Sequence, residues 1–155
     1  PIGEELSRGV ELDVAGKILP YWSVMASYSY NVAEITKAVA GTKDLNLQRP
    51  GTPRHSGNIW TKFVIPQGPM EGLGIGLGVH GVSERLGQVG RREHVVSYPG
   101  YVLLDAALYY KVRDVQLQLN ANNLLDKSYY VSGYDRLRSF PGSPRQLSIS
   151  ATYRF

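Results

Sequence analysis

Residues 146–155 read QLSISATYRF and alternate without a break. Leu147, Ile149, Ala151, Tyr153 and Phe155 fall on one side, and Gln146, Ser148, Ser150, Thr152 and Arg154 on the other. Successive side chains of a strand point to opposite faces, so this stretch is a strand with one apolar and one polar face. The same pattern recurs towards the N-terminus. Val115, Leu117 and Leu119 oppose Gln116, Gln118 and Asn120. Over Tyr101 to Val112, Val102, Leu104, Ala106, Leu108 and Tyr110 alternate with Leu103, Asp105, Ala107, Tyr109 and Lys111. In the run from Leu73, Ile75, Leu77 and Val79 oppose Gly74, Gly76, Gly78 and His80. Ser56–Ile65 has an ambiguous phase; Lys62 groups with Trp60 and Val64, leaving Ile59, Thr61 and Phe63 opposite. Trp22–Val32 and Gly9–Lys17 complete a set of seven predicted strands.

The connections alternate in length. Residues 18–21, 66–72 and 113–114 are short, whereas 36–54, 85–100 and 126–145 are long and carry the Gly and Pro of irregular chain. Strands of about ten residues match the 9–11 that a tilted strand needs to cross a bilayer core. Short turns on one side, long loops on the other and apolar-out, polar-in alternation define a transmembrane barrel. A soluble sandwich has mixed loop lengths and strands of about 5–6 residues. A lipocalin-like barrel has the inverse polarity, and alternation alone does not say which face is inside. The aromatics favour lipid. Trp22, Tyr28, Tyr30, Tyr110, Tyr153 and Phe155 lie on the apolar face near strand ends, where a ring with one wet end sits at a membrane boundary. The predicted class is all-β, an antiparallel transmembrane β-barrel segment.

Other chemistries find little support. The 155 residues include no Cys, which excludes disulfides, Fe–S clusters and Cys-ligated zinc. His55, His80 and His94 show no metal-ligand spacing. Gly76 to Gly81 fits G-x-G-x-x-G but lies inside a strand with no helix after it, so a dinucleotide reading fails. No nucleophile elbow or Ser–His–Asp grouping is present, and the chain is not expected to be an enzyme. Asp105 and Asp126 read as structural carboxylates, one facing the barrel interior and one at a strand-to-loop junction.

Four stretches resemble the late barrel of TonB-dependent outer-membrane receptors of the ferric-siderophore type. They are SRGVELDVAGKILPYWSVMASYSYN (7–31), PGYVLLDAALYYK (99–111), NANNLLDKSYY (120–130) and FPGSPRQLSISATYRF (140–155). The resemblance implies a 22-stranded barrel around an N-terminal plug, of which about seven strands are here. Residues 1–155 are then the C-terminal part of the barrel domain, without plug or TonB-contacting segment. It also implies residence in the bacterial outer membrane, and energised uptake of a scarce chelate through the TonB complex. A passive or structural porin-like barrel is the alternative. Iron would arrive already chelated, so no protein cofactor or metal ligand is expected. The terminal Phe155 would be read by the barrel-assembly machinery, and Gly74, Gly76 and Gly78 could leave room for the plug. The other reading of those glycines is a bend or a weak strand. An odd number of antiparallel strands cannot close, so seven alone predict an open sheet.

Charge is concentrated on the long loops. Lys37, Lys43, Arg49 and Arg54 against Asp44 make the first +3. Arg85, Arg91 and Arg92 against Glu93 make the second +2, and Lys127, Arg136, Arg138 and Arg145 against Asp126 and Asp135 make the third +2. Such a surface focuses anionic ligands or meets lipopolysaccharide phosphates. Nucleic-acid binding is not expected, because the basic residues are scattered over separate loops. Arg91, Arg92, Arg136 and Arg138, with Tyr129, Tyr130 and Tyr134, are the candidate ligand-binding residues. The tyrosines could equally pack the loop.

Overall fold

The computed structural model describes residues 3–37, 46–87, 96–133 and 138–155. Seven long strands form one antiparallel sheet: β1 (Glu4–Leu19), β2 (Trp22–Lys37), β3 (His55–Val64), β4 (Leu73–Val82), β7 (Tyr101–Val112), β8 (Val115–Asn122) and β11 (Gln146–Tyr153). They pair in chain order, β1-β2-β3-β4-β7-β8-β11. Two short hairpins rise from the long connections, β5 (Arg85–Leu86) with β6 (Ser97–Tyr98) and β9 (Tyr130–Gly133) with β10 (Ser139–Pro141). The seven-strand open sheet matches expectation. The two hairpins do not, because they lie in stretches read as irregular.

Unbroken cross-strand rows give the sheet its two faces. One row runs Trp22, Phe63, Ile75, Leu108, Leu119, Ile149 across six strands. Another runs Val14, Ala26, Ile59, Val79, Leu104. Many of these apolar side chains are about half exposed: Ile59 48%, Ile75 48%, Leu119 43%. Buried apolar residues among those described are only Ala33, Tyr98 and Ala107. A single layer with no core is untenable in water, where burial gains about 25 cal/mol per Å² of apolar area. It is the expected form of a wall solvated by lipid. The opposite face is polar and internally bonded. Asn58 donates to Ser27 Oγ (2.7 Å), Gln118 to Asn120 Oδ1 (2.7 Å), and the Lys62 ammonium sits 3.9 Å from the Tyr109 ring centre. The phase left open for β3 is thereby resolved, with Trp60 and Lys62 paired to Gly78 and Gly76 on this face.

β1 and β2 run longer than read, to Glu4 and Lys37 rather than Gly9 and Val32. Their upper ends carry Glu4, Glu5, Arg8, Glu34 and Lys37, charges on both faces that hide the alternation. This part of the hairpin stands above the apolar band. Lys37 pairs with Glu4 at 2.9 Å, and Leu47 and Arg49 of the returning loop bond β2 through Ile35 N and Ala33 O. The short turns have local causes. Pro20 interrupts the first, Gly72 at φ +82° closes the second, and Arg113 takes a left-handed φ of 51° in the third.

The glycine row of β4 has a packing role that neither reading of the sequence offered. A Cβ on Gly76 would stand 2.5 Å from Trp60 Cζ2, and one on Gly78 would collide with the same indole. Gly74 is hemmed by Val64 and Tyr109. The row is therefore not clear space; it is the seat on which Trp60 lies flat. β4 also carries no bulge, since it pairs with β3 and β7 with no register shift. Glycine lets a neighbouring ring cover a strand that would otherwise be poorly packed.

Candidate functional site

The long connections gather at one end of the sheet, and a cluster on its polar side ties them together. Arg85 is 3% exposed. Its Nε donates to Val131 O at 3.1 Å and its Nη2 to Val131 O at 2.6 Å and to Tyr130 O. Nη1 is buried and has no hydrogen-bond partner among the described residues. The guanidinium lies 5.4 Å from the Tyr101 ring centre, and Tyr101 in turn stands 4.4 Å from Tyr129. Tyr98, buried, bonds Ser139 Oγ at 2.8 Å and leans on Tyr130 at 5.9 Å. Glycines make room for these rings: a side chain at Gly87 or Gly133 would strike Tyr98, and one at Gly142 would strike Tyr129. Gly51 N donates to Leu86 O (2.6 Å), which brings in the first long connection. Three loops distant in sequence thus form one assembly.

The NANNLLDKSYY stretch is the hinge beneath it. Asn123, 4% exposed with φ 50°, donates through Nδ2 to Lys127 O (2.9 Å) and Ser143 O (3.1 Å). Its Oδ1 accepts from Lys127 N (2.9 Å), and its own N–H reaches Asp105 Oδ1 (2.7 Å). Asp126, also left-handed at φ 53°, accepts from Arg145 N (2.8 Å). Both aspartates serve the backbone.

The predicted ligand-binding residues divide. Arg91, Arg92, Tyr134 and Arg136 lie outside the described residues. Arg138 is exposed just before β10. Tyr129 packs on Tyr101 and Gly142, whereas Tyr130 remains 49% exposed. Arg85, absent from the candidates, is the arginine at the centre. Period-two patterning carries no signal for a buried arginine in a loop. The first loop's basic excess is partly met by acids that a loop-by-loop count omits, since Arg49 pairs with Glu5 at 3.1 Å and Lys37 with Glu4. Such exposed pairs contribute about 0–1 kcal/mol each.

The expected girdle residues occupy the two ends of the apolar face. Trp22, Tyr110, Tyr153 and Phe155 stand by the short turns; Tyr28 and Tyr30 stand by the long loops. Trp22 Nε1 donates to Thr61 Oγ1 at 2.7 Å. From Trp22 to Tyr30 is roughly 26 Å along the strand at ~3.3 Å per residue. A tilt of about 40° projects this to ~20 Å, near the ~25 Å band of outer-membrane barrels.

Residues 1–124 match the family model described as TonB dependent receptor-like, beta-barrel. The chain belongs to this family. Among relatives of this TonB-dependent receptor barrel, the metal-pseudopaline receptor CntO of Pseudomonas aeruginosa is 30% identical over 99% of the chain, and the catecholate siderophore receptor Fiu of Escherichia coli K12 is 31% identical over 99%. The siderophore receptor PiuA of Acinetobacter baumannii superposes with a TM-score of 0.80 at 31% identity, covering 97% of this chain and 22% of that one. The chain spans about a fifth of the length of the curated relatives it matches, 21% of CntO and 20% of Fiu. Receptor barrels of this family reside in the outer membrane, and the lipid-facing reading of the apolar rows agrees with that.

Proposed function

We propose that the complete protein is an outer-membrane receptor for TonB-energised uptake of a ferric siderophore or a similar scarce chelate. Residues 1–155 would be the C-terminal part of its barrel wall. The observation that carries the reading is likeness of about 30% identity to siderophore and metallophore receptors along nearly the whole chain. The iron is cargo, wrapped by its chelator, and no catalytic step is assigned to the protein. The TonB complex would act through a plug outside this chain, and the barrel-assembly machinery would recognise the Phe155 end.

At the loop end, an exposed Tyr130 and the arginines Arg91, Arg92, Arg136 and Arg138 are offered for first contact with an oxyanion-rich chelate. Arg suits this because its planar fork makes two parallel hydrogen bonds to an oxyanion. Tyr129 and Arg85 hold the described parts of the loops together. The test is uptake of radiolabelled ferric chelate by cells with and without TonB. Uptake that needs TonB is the expected result. Equal uptake in both strains would make the barrel a passive pore.

A further inference from the structure

On the lipid-facing side, just below the long loops, the outer surface is indented. Tyr28, Gly57, Gly81 and Val102 form one cross-strand row through β2, β3, β4 and β7. The two glycines leave a groove of about 580 Å³ between Tyr28 and Val102. Ile59 and Val79 line its lower part, and His55, Ser83 and Lys127 its upper rim. Two features mark it as a built site. Gly81 needs no special backbone, and a Cβ there would meet nothing nearer than Val102 Cγ2 at 3.7 Å, so packing does not demand the missing side chain. The rim is also held in place. Asn123 fixes the Lys127 backbone through both of its side-chain polar atoms, and the Tyr28 hydroxyl bonds His55 Nδ1 at 2.7 Å. Lys127 forms no ion pair among the described residues.

We infer that this groove is a binding site for one lipopolysaccharide molecule, an acyl chain lying over Gly57 and Gly81 and a phosphate meeting Lys127. An apolar slot under a cationic rim is complementary to a lipid with an anionic head. Its place at the long-loop end puts it in the outer leaflet, where lipopolysaccharide rather than phospholipid supplies that chemistry. The inference rests on the outer-membrane orientation proposed above, but not on which chelate is carried.

The test is native mass spectrometry of the complete receptor, extracted in mild detergent and titrated with lipopolysaccharide or with phosphatidylglycerol. Gly81→Leu fills the slot, and Lys127→Ala removes the rim charge. Gly16→Leu is the control, because it adds the same side chain to the same lipid-facing surface where no atom lies within 4 Å. The expected result is loss of one tightly bound lipopolysaccharide in Gly81→Leu and weakened retention in Lys127→Ala. Gly16→Leu should keep the wild-type count, and heat-modifiable migration should show all variants folded. Equal counts in wild type and Gly81→Leu overturn the site. So does an equal loss in Gly16→Leu, or a loss confined to phosphatidylglycerol. Siderophore uptake is a separate readout, so failure of the transport reading leaves these counts interpretable.

Discussion

Arg85 shows how much one side chain can organise. Its guanidinium satisfies two carbonyls of β9 from a different loop, and Lys could not reproduce the fork. Replacing it by Leu removes the charged donor from the part-buried Tyr130 and Val131 carbonyls, at about 1–3 kcal/mol. The cost should fall on the loop assembly rather than the barrel, because the strands below are bonded independently. Hydrogen exchange at residues 130–133 should therefore accelerate in Arg85→Leu, while the barrel's heat-modifiable migration stays as in wild type. Unchanged exchange there would remove Arg85 from the latch. Asn123 works the same way one level down. It is a left-handed residue whose amide completes three backbone bonds at the point where β8 becomes loop.

At the scale of the element, β4 is a strand that depends on its neighbour. Gly76 and Gly78 supply a flat track, and the Trp60 indole of β3 supplies the covering. Gly78→Ala should push the indole off the wall, with an overpacking cost of about 1–3 kcal/mol. The Trp60 contribution to fluorescence, taken as the difference between each protein and its Trp60→Phe counterpart, should shift red as the ring is exposed. An unshifted spectrum would show that the wall yields elsewhere. The long loops are the second elements with a function to test. Replacing Arg91, Arg92, Arg136 and Arg138 together by Ala should slow chelate association at low salt. The deficit should shrink as salt rises, because the screening length falls to about 8 Å near 0.15 M. Single replacements should show little, since exposed charges contribute about 0–1 kcal/mol each. Equal association rates at low salt would leave the loop charge to lipid phosphates.

At the largest scale, the described residues of 1–155 form an open sheet whose outer strands are β1 and β11. Among the described residues β1 and β11 each have one strand neighbour, and most of the large side chains of the apolar face are exposed. Free edges template further strands. Residues 1–155 produced alone should therefore need detergent and should self-associate, as read by sedimentation in detergent. A monomeric, heat-resistant species would contradict the open sheet.

Much of this architecture was legible because its solvent rule is simple. Lipid on one side and water on the other impose period two, so β7, starting at Tyr101 and ending at Val112, is found where the alternation puts it, and β3, β4 and β11 within a residue or two. Strand length and loop rhythm then separate a membrane barrel from a soluble one. What lay beyond the pattern depends on contacts between residues far apart in the chain. Gly76 and Gly78 read as empty space until Trp60, sixteen and eighteen residues earlier, is laid across them. The charged upper half of β1 and β2 reads as loop until Glu4 meets Lys37. Arg85 reads as one more loop cation until β9 arrives to accept its hydrogen bonds. Periodicity records which solvent a side chain faces, and that is settled locally. Which distant partner fills a gap or satisfies a charge is set by strand register, and only the assembled sheet contains it.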